Sequence, residues 1–243
     1  MQTTHLRNKH FVFGAEIILA LLIFFPQVIF AQLNIGDRDE KYMTRPFHFG
    51  VEMGPNSSNY KITLDSTYVA QSNILQVAGL NSKGFTLGIV SDLHLSRRFD
   101  LRFVPDLSFA DKILQFSFRN TDTVHRQTVS SVNLEFPFLL KYKSVPYHDM
   151  RMYVMAGFKY SYDMQATANQ RKATTLVKTV AGDASFEYGL GFEFHLPLVM
   201  ISPELKISYG VDNVLKEDKL LNYSSVLKRL RTRSFLLCIK FEG

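Results

Sequence analysis

The sequence predicts an all-β chain: an eight-stranded antiparallel transmembrane β-barrel of the outer-membrane type, carried behind an N-terminal signal peptide. Three observations predict it. Strict two-residue alternation of apolar and polar side chains recurs at least eight times along the 243 residues. The alternating segments run to about ten residues or more, the length a tilted strand needs to cross a bilayer, whereas soluble strands average about five or six. The connections alternate between short and long, as periplasmic turns and external loops do in bacterial single-chain barrels.

The chain opens with Arg7 and Lys9, an apolar run from Ile17 to Phe25, and a small-residue end at Ala31. That is the order of a secretory signal, with cleavage expected after Ala31 and residues 1–31 removed. An uncleaved anchor from Phe11 to Phe30 is the rival reading. Glu16 inside that run and Pro26 near its end count against it, because a mid-span carboxylate is costly in hydrocarbon. Residues 32–45 are polar and read as a periplasmic lead-in, and residues 46–243 as the barrel domain.

Within the barrel, alternation covers Phe47 to Ile62, Phe85 to Leu95, and Phe99 to Phe109 continuing towards Phe118. It resumes in Val132 to Tyr142, Met152 to Tyr162, Ser185 to His195, Glu204 to Asp212 and Ser234 to Phe241. Helical spacing of three and four is missing from all of these segments. Ser96–Arg98, Ser144–Asp149 and Leu196–Met200 are the short connections. Residues 63–82, 119–127, 165–182 and 216–231 are the longer, polar ones. Three turns and four loops join eight strands and bring both termini to one side, expected to be the periplasm.

Composition narrows the function classes. Twenty-eight Lys and Arg against 22 Asp and Glu give a formal +6, spread along the chain, which does not mark a nucleic-acid binder. With 21 Phe and 11 Tyr, 13% of the residues are aromatic, yet the mean hydropathy is only -0.02, so apolar and polar residues must interleave. A soluble lipocalin-like barrel would use the same alternation with the aromatics inside. The single cysteine, Cys238, excludes an intrachain disulfide and reads as a packed, inert thiol.

If the aromatic rows face lipid, the opposite rows face the lumen. Those rows carry Glu52, Asp92, His94, Arg102, Asp106, Glu135, Lys141, Lys159, Glu187, Glu193, His195, Glu204, Lys206 and Lys240. Both signs are present, as buried charges require. Eight strands enclose a space only wide enough for their own side chains, so a packed polar network without an open pore is expected. The usable surfaces are then the rim at Arg97, Arg98, His148 and Asp149, the loops and the outer wall. The third loop carries Arg171, Lys172 and Lys178, and the last carries Lys216, Lys219, Lys228, Arg229, Arg231 and Arg233. These suit anionic lipopolysaccharide phosphates or an acidic partner, or are ordinary solvated charge.

No sequence motif points to catalysis, a cofactor or a small-molecule substrate. His125 with Ser130 or Ser131 is the nearest base–nucleophile set, and residues five or six apart at a strand entrance need not meet. His94, His148 and His195 share one end but lack metal-ligand spacing. Gly84 and Gly88, like Gly189 and Gly191, sit inside strands and are no phosphate loop.

Several segments resemble the PorT family of Bacteroidota outer-membrane barrels. Residues 45–56 (RPFHFGVEMGPN) resemble its first strand, 101–109 (LRFVPDLSF) its third and 132–143 (VNLEFPFLLKYK) its fourth. Residues 186–194 (FEYGLGFEF) and 201–210 (ISPELKISYG) are similar to its sixth and seventh. The likeness covers nearly the whole mature chain in order. One departure is that Phe241 is followed by Glu242 and Gly243, an irregular ending for an outer-membrane strand. The resemblance implies an accessory role in type IX secretion, which carries cargo with C-terminal sorting domains, including cysteine proteinases, to the cell surface. It implies other secretion components as partners and no catalytic residues.

Overall fold

Alternation at a period of two places successive side chains on opposite faces, and here it closes a sheet upon itself. The computed structural model describes residues 45–64, 74–119, 124–147, 149–166, 178–216 and 227–243. Fourteen strands are seen among them: β1 (Phe47–Leu64), β2 (Ile74–Leu80), β3 (Ser82–His94), β4 (Phe99–Phe103), β5 (Asp106–Phe109), β6 (Lys112–Phe118) and β7 (Val124–Val129), followed by β8 (Val132–Lys143), β9 (Met150–Asp163), β10 (Lys178–Thr179), β11 (Gly182–His195), β12 (Met200–Gly210), β13 (Leu215–Lys216) and β14 (Leu227–Glu242).

The wall has eight antiparallel staves in the order β1, β3, β4/β5, β8, β9, β11, β12, β14. Closure comes from β1, which pairs with β14 along Gly50↔Glu242 to Leu64↔Leu227 and with β3 along Phe47↔Leu93 to Ser58↔Ser82. The third stave is broken into β4 and β5 at Val104–Pro105, because Pro105 has no N–H to give the ladder. The wall stays bonded across the break: Val104 N–H donates to Pro137 O at 3.3 Å, and Ile89 N–H donates to Pro105 O at 3.0 Å.

The two ends differ as the connection lengths predict. At the turn end, Leu95–Arg98, Ser144–Asp149 and Leu196–Val199 join neighbouring staves. Ser96 Oγ accepts from Phe99 N–H at 3.1 Å, which tightens the first of these turns. At the loop end the staves do not dissolve into polar loops. β2, β6 and β7 form a three-stranded sheet that carries the wall onward, and β10 pairs with β13. The sequence predicts loops over residues 63–82, 119–127 and 216–231. Strand pairing in fact continues into them: Ile74 and Val77 on β2 and Leu227 and Leu230 on β14 are buried with Leu114 and Phe116 of β6. The three-residue spacing within the β2 and β14 pairs marks the places where the register shifts and period-two alternation breaks.

The barrel is inside out relative to a soluble one. Phe49 is 62% exposed, Ile89 61% and Phe158 64%, all on the outer face, while Glu52, Arg102 and Lys240 are fully buried in the lumen. On β11 the outward row runs from Phe186 through Tyr188, Leu190 and Phe192 to Phe194. Eight rises of about 3.3 Å at a tilt of about 40° make that row about 20 Å tall, close to the ~25 Å apolar band of a membrane barrel.

Gly54 marks one closest approach of wall to wall. A Cβ there would stand 2.0 Å from Leu237 O and 2.6 Å from Cys238 Cα, both backbone atoms that cannot yield cheaply. At Gly182 the nearest atom is the tip of the Tyr160 ring at 2.8 Å, which can swing aside. Gly54→Ala should therefore lower the stability of the detergent-folded barrel by about 1–3 kcal/mol, with Gly182→Ala near neutral. Urea unfolding in micelles, followed by tryptophan-free near-ultraviolet signals or heat-modifiable gel migration, measures both.

Candidate functional site

The inward rows change character with height, and they do so in the same order on several staves. On β1 the row reads His48, Glu52, Gly54, Asn56, Ser58, Tyr60, Ile62 and Leu64 from the turn end to the loop end. On β14 it reads Glu242, Lys240, Cys238, Leu236, Ser234, Thr232 and Leu230 in the same direction. The lumen is thus an ionic tier, then a hydroxyl-lined tier, then an apolar roof.

The ionic tier is organised around Arg102 on β4. Its guanidinium donates through Nε to Asp92 Oδ1 at 2.5 Å and also holds Glu204 and Glu242, the latter at 3.0 Å. β4 and β12 are diametrically opposite staves of the ring, so the Arg102–Glu204 pair spans the lumen. Tyr153 donates its hydroxyl to the same Glu204, and Lys240 reaches that carboxylate at 2.7 Å. Lys240 also meets Glu52 at 3.2 Å, which Lys206 holds at 2.7 Å. Lys141 joins Glu193 and stands 3.3 Å from Asp92, with its ammonium 4.4 Å from the Tyr153 ring centre. Lys159 links Glu135 at 2.6 Å and Glu187 at 3.3 Å, and Lys143 holds Asp100 at 2.7 Å. Asp106 lies beside Glu135 in the register and is buried with an Oδ1 that has no hydrogen-bond partner.

All fourteen residues that the sequence places on the lumen rows, the twelve charged ones with His94 and His195, lie on the inward face. The network also takes in Asp100, Lys143, Tyr153 and Glu242, which are not among the residues expected from the sequence. Parity was the available signal, since Asp100 shares a face with Arg102, and Glu242 with Lys240. Glu242 is the residue that makes the last strand end irregularly, and its carboxylate is fully buried against Arg102.

At the turn end His48 and His94 lie with ring centres 4.7 Å apart, and His94 Nδ1 is 2.7 Å from Asp100. His195 lines a hollow of about 280 Å³ with Arg45, His48 and Glu242. Arg97 and Arg98 are exposed in the β3–β4 turn, whereas Asp149 is withdrawn, its carbonyl accepting from His195 N–H at 2.9 Å. The rim position His148 lies outside the described residues, as do the signal segment 1–31, the lead-in 32–44, and the loop cations Arg171, Lys172 and Lys219.

Under the roof sits a polar cavity of about 30 Å³, room for about two waters, lined by Ser58, Lys112, Asn133, Asp163, Asp183 and Thr232 among others. The roof itself is the buried apolar cluster of Tyr60, Ile74, Val77, Leu114, Phe116, Val214, Leu215, Leu227 and Leu230. Ser131 donates to Asp163 at 2.9 Å and accepts from Lys112 at 3.4 Å, while His125 is exposed on β7, so the geometry assembles no Ser–His pair there. Cys238 is buried 3.9 Å from Glu204. Glu52, Glu204 and Cys238 present ligand atoms within 4.8 Å of one another, but Lys206 and Lys240 already occupy both carboxylates.

The remaining cations are not in loops. Arg229, Arg231 and Arg233 lie within β14, Lys228 is exposed in the same strand, and Lys178 pairs in register with Lys216 in the β10–β13 ladder.

A closed ring of eight staves, apolar rows outside and ion pairs inside, is the architecture of a membrane barrel of the bacterial outer-membrane class. The chain belongs to the family described as outer membrane protein beta-barrel domain, whose model matches residues 30–216, and it is an outer-membrane protein. That match stops short of β14, the stave that closes the ring. Among solved structures the chain is similar to OprG from Pseudomonas aeruginosa, with 13% identity, a TM-score of 0.48, and coverage of 81% of this chain and 95% of that one. It is also similar to Neisserial surface protein A (10% identity, TM-score 0.41, 79% and 95% covered) and to the attachment invasion locus protein Ail of Yersinia pestis (12% identity, TM-score 0.35, 82% and 100% covered). No curated protein sequence matches the chain.

Removing Arg102 leaves Asp92, Glu204 and Glu242 buried without their shared partner. Arg102→Met should cost about 3–5 kcal/mol in urea unfolding, and Arg102→Lys should recover only part of it, because a point charge cannot reproduce the planar fork. In planar bilayers the reconstituted wild-type protein should carry no steady current above the lipid background; a sustained open-channel conductance would contradict a lumen filled by its own side chains.

Proposed function

We propose that this barrel is a non-enzymatic accessory component of protein secretion across the outer membrane. Its termini and short turns would face the periplasm and its long connections the cell exterior, after removal of a signal peptide. The observation that carries the reading is the filled lumen. An eight-stave barrel whose cross-section is occupied by Arg102, Lys141, Lys206, Lys240, Glu52 and Glu204 leaves no path for a polypeptide. Any part it takes in export is therefore played from its rim and outer surfaces on other secretion components. The system is assigned by resemblance: the strand segments quoted above resemble the PorT family, which implies type IX secretion of cargo with C-terminal sorting domains, such as secreted proteinases. The exposed Arg97 and Arg98 turn is the natural periplasmic contact. A purely structural or adhesin-like surface barrel is the second reading, favoured by the ordered loop-end sheet of β2, β6 and β7.

Deletion of the gene separates the two. The secretion role predicts that sorting-domain cargo accumulates inside the cell and that its surface activity falls by at least tenfold, with restoration by the wild-type gene. Normal cargo delivery in the deletion strain would leave only the surface-barrel reading.

A further inference from the structure

The outer wall carries a second kind of row above its apolar one. On β14 the outward residues run Phe241, Ile239, Leu237, Phe235, and then Arg233, Arg231 and Arg229. The change from lipid-facing to cationic occurs between Phe235 and Arg233, one strand repeat or about 7 Å along the chain. On the neighbouring stave β1, Asn59 pairs with Arg233, Lys61 with Arg231 and Thr63 with Arg229, so two cations face each other directly across the seam that closes the barrel. Like charges directly opposite on one face of an antiparallel pair repel. No carboxylate stands among these outward positions of β1 and β14, and Arg231 Nε is enclosed without a hydrogen-bond partner. Arg233 is held 4.9 Å over the Tyr209 ring on β12, which fixes its height at the upper edge of the apolar band. Lys83 on β3, opposite Ser57, extends the positive field one stave further.

We propose that Lys61, Arg231 and Arg233, supported by Arg229, form a seat for the phosphate groups of the glycolipid of the outer leaflet, lipopolysaccharide. The occupant must be polyanionic to offset the Lys61–Arg231 repulsion, and it must lie at the membrane surface, because the seat stands directly on the lipid-facing row. A phosphorylated lipid meets both demands at once. Its acyl chains lie along Phe235, Leu237 and Ile239, while the planar guanidinium groups take phosphate oxygens in bidentate fashion. The lipid thereby clamps the first and last staves together where no other outward ion pair does so among the described residues. This inference rests on the orientation proposed above, with the long connections outside.

The test uses the full chain folded in detergent micelles. Diphosphoryl lipid A is the probe, with dephosphorylated lipid A, inorganic phosphate and polyglutamate as comparisons. The triple variant Lys61→Gln/Arg231→Gln/Arg233→Gln should bind diphosphoryl lipid A about a hundredfold more weakly than wild type, and Arg231→Gln alone roughly fivefold more weakly. Arg98→Gln at the turn end should bind as wild type does. Heat-modifiable migration checks that each variant is folded, and the single variant decides the matter where the triple one fails to fold. Unchanged lipid binding by a folded variant would overturn the seat. So would equal binding of dephosphorylated lipid A, displacement by equimolar inorganic phosphate (a free-phosphate site), or tighter binding of polyglutamate (a protein partner). Orientation is read separately on intact cells with an impermeant thiol reagent: Arg119→Cys should react and Arg97→Cys should not. The reverse pattern defeats the proposed orientation, and with it the assignment to the outer leaflet, even where micelle binding survives.

Discussion

One guanidinium sets the terms for the rest of this molecule. Arg102 gathers carboxylates from β3, β12 and β14, and the one on β12 stands on the opposite side of the ring. Such a tie does in eight staves what a hydrophobic core does in a soluble domain, because the apolar side chains have been turned outward and can no longer fill the centre. Charges removed from water are costly unless each is matched in geometry and number. The ring accordingly surrounds Arg102 with further pairs, in which Glu204 alone serves Arg102, Lys240 and Tyr153. The diameter of an eight-stranded barrel is what makes this possible: it is narrow enough for one long side chain to reach across.

The gradient along the inward rows follows from where water ends on each side. In the middle of the membrane the lumen is sealed by ion pairs. Towards the loop end serine, threonine and asparagine join the charges of Lys112, Asp163 and Asp183, and above them an apolar roof rises beyond the lipid-facing band. An apolar inner face there means that the wall is no longer surrounded by lipid and must be held together in the ordinary way, by burying Leu114, Phe116 and Leu230 from water. The same staves therefore use two opposite rules, one within the membrane and one beyond it. The outward face reverses in step, from Phe235 to Arg233 on β14, as the surroundings change from acyl chains to charged headgroups.

Membership of the outer-membrane β-barrel domain family speaks to architecture, and the functional burden falls on the surfaces. A plugged lumen turns the barrel into a rigid post in the membrane. Its turn end offers Arg97 and Arg98 on a rigid frame, its loop end offers an ordered sheet, and its seam offers a cationic stripe.

Much of this was legible in the chain itself. Period-two alternation determined the eight staves and, with the aromatic content, which face meets lipid, because that decision is made residue by residue and needs no knowledge of the partner strand. The twelve lumen charges followed from parity alone. What the sequence could not decide was which charges meet, since Arg102 and Glu204 lie 102 positions apart and are joined only by the register around a closed ring. Nor could it separate a polar loop from a strand whose inner face packs onto others. Ile74 and Val77, like Leu227 and Leu230, stand three residues apart where the register shifts, which breaks the period-two signal, and only the closing of the wall brings them into one roof. The basic run near the C-terminus was visible as composition. That it forms an outward stripe facing Lys61 depends on the pairing of the first strand with the last, a contact between the ends of the chain that local sequence does not encode.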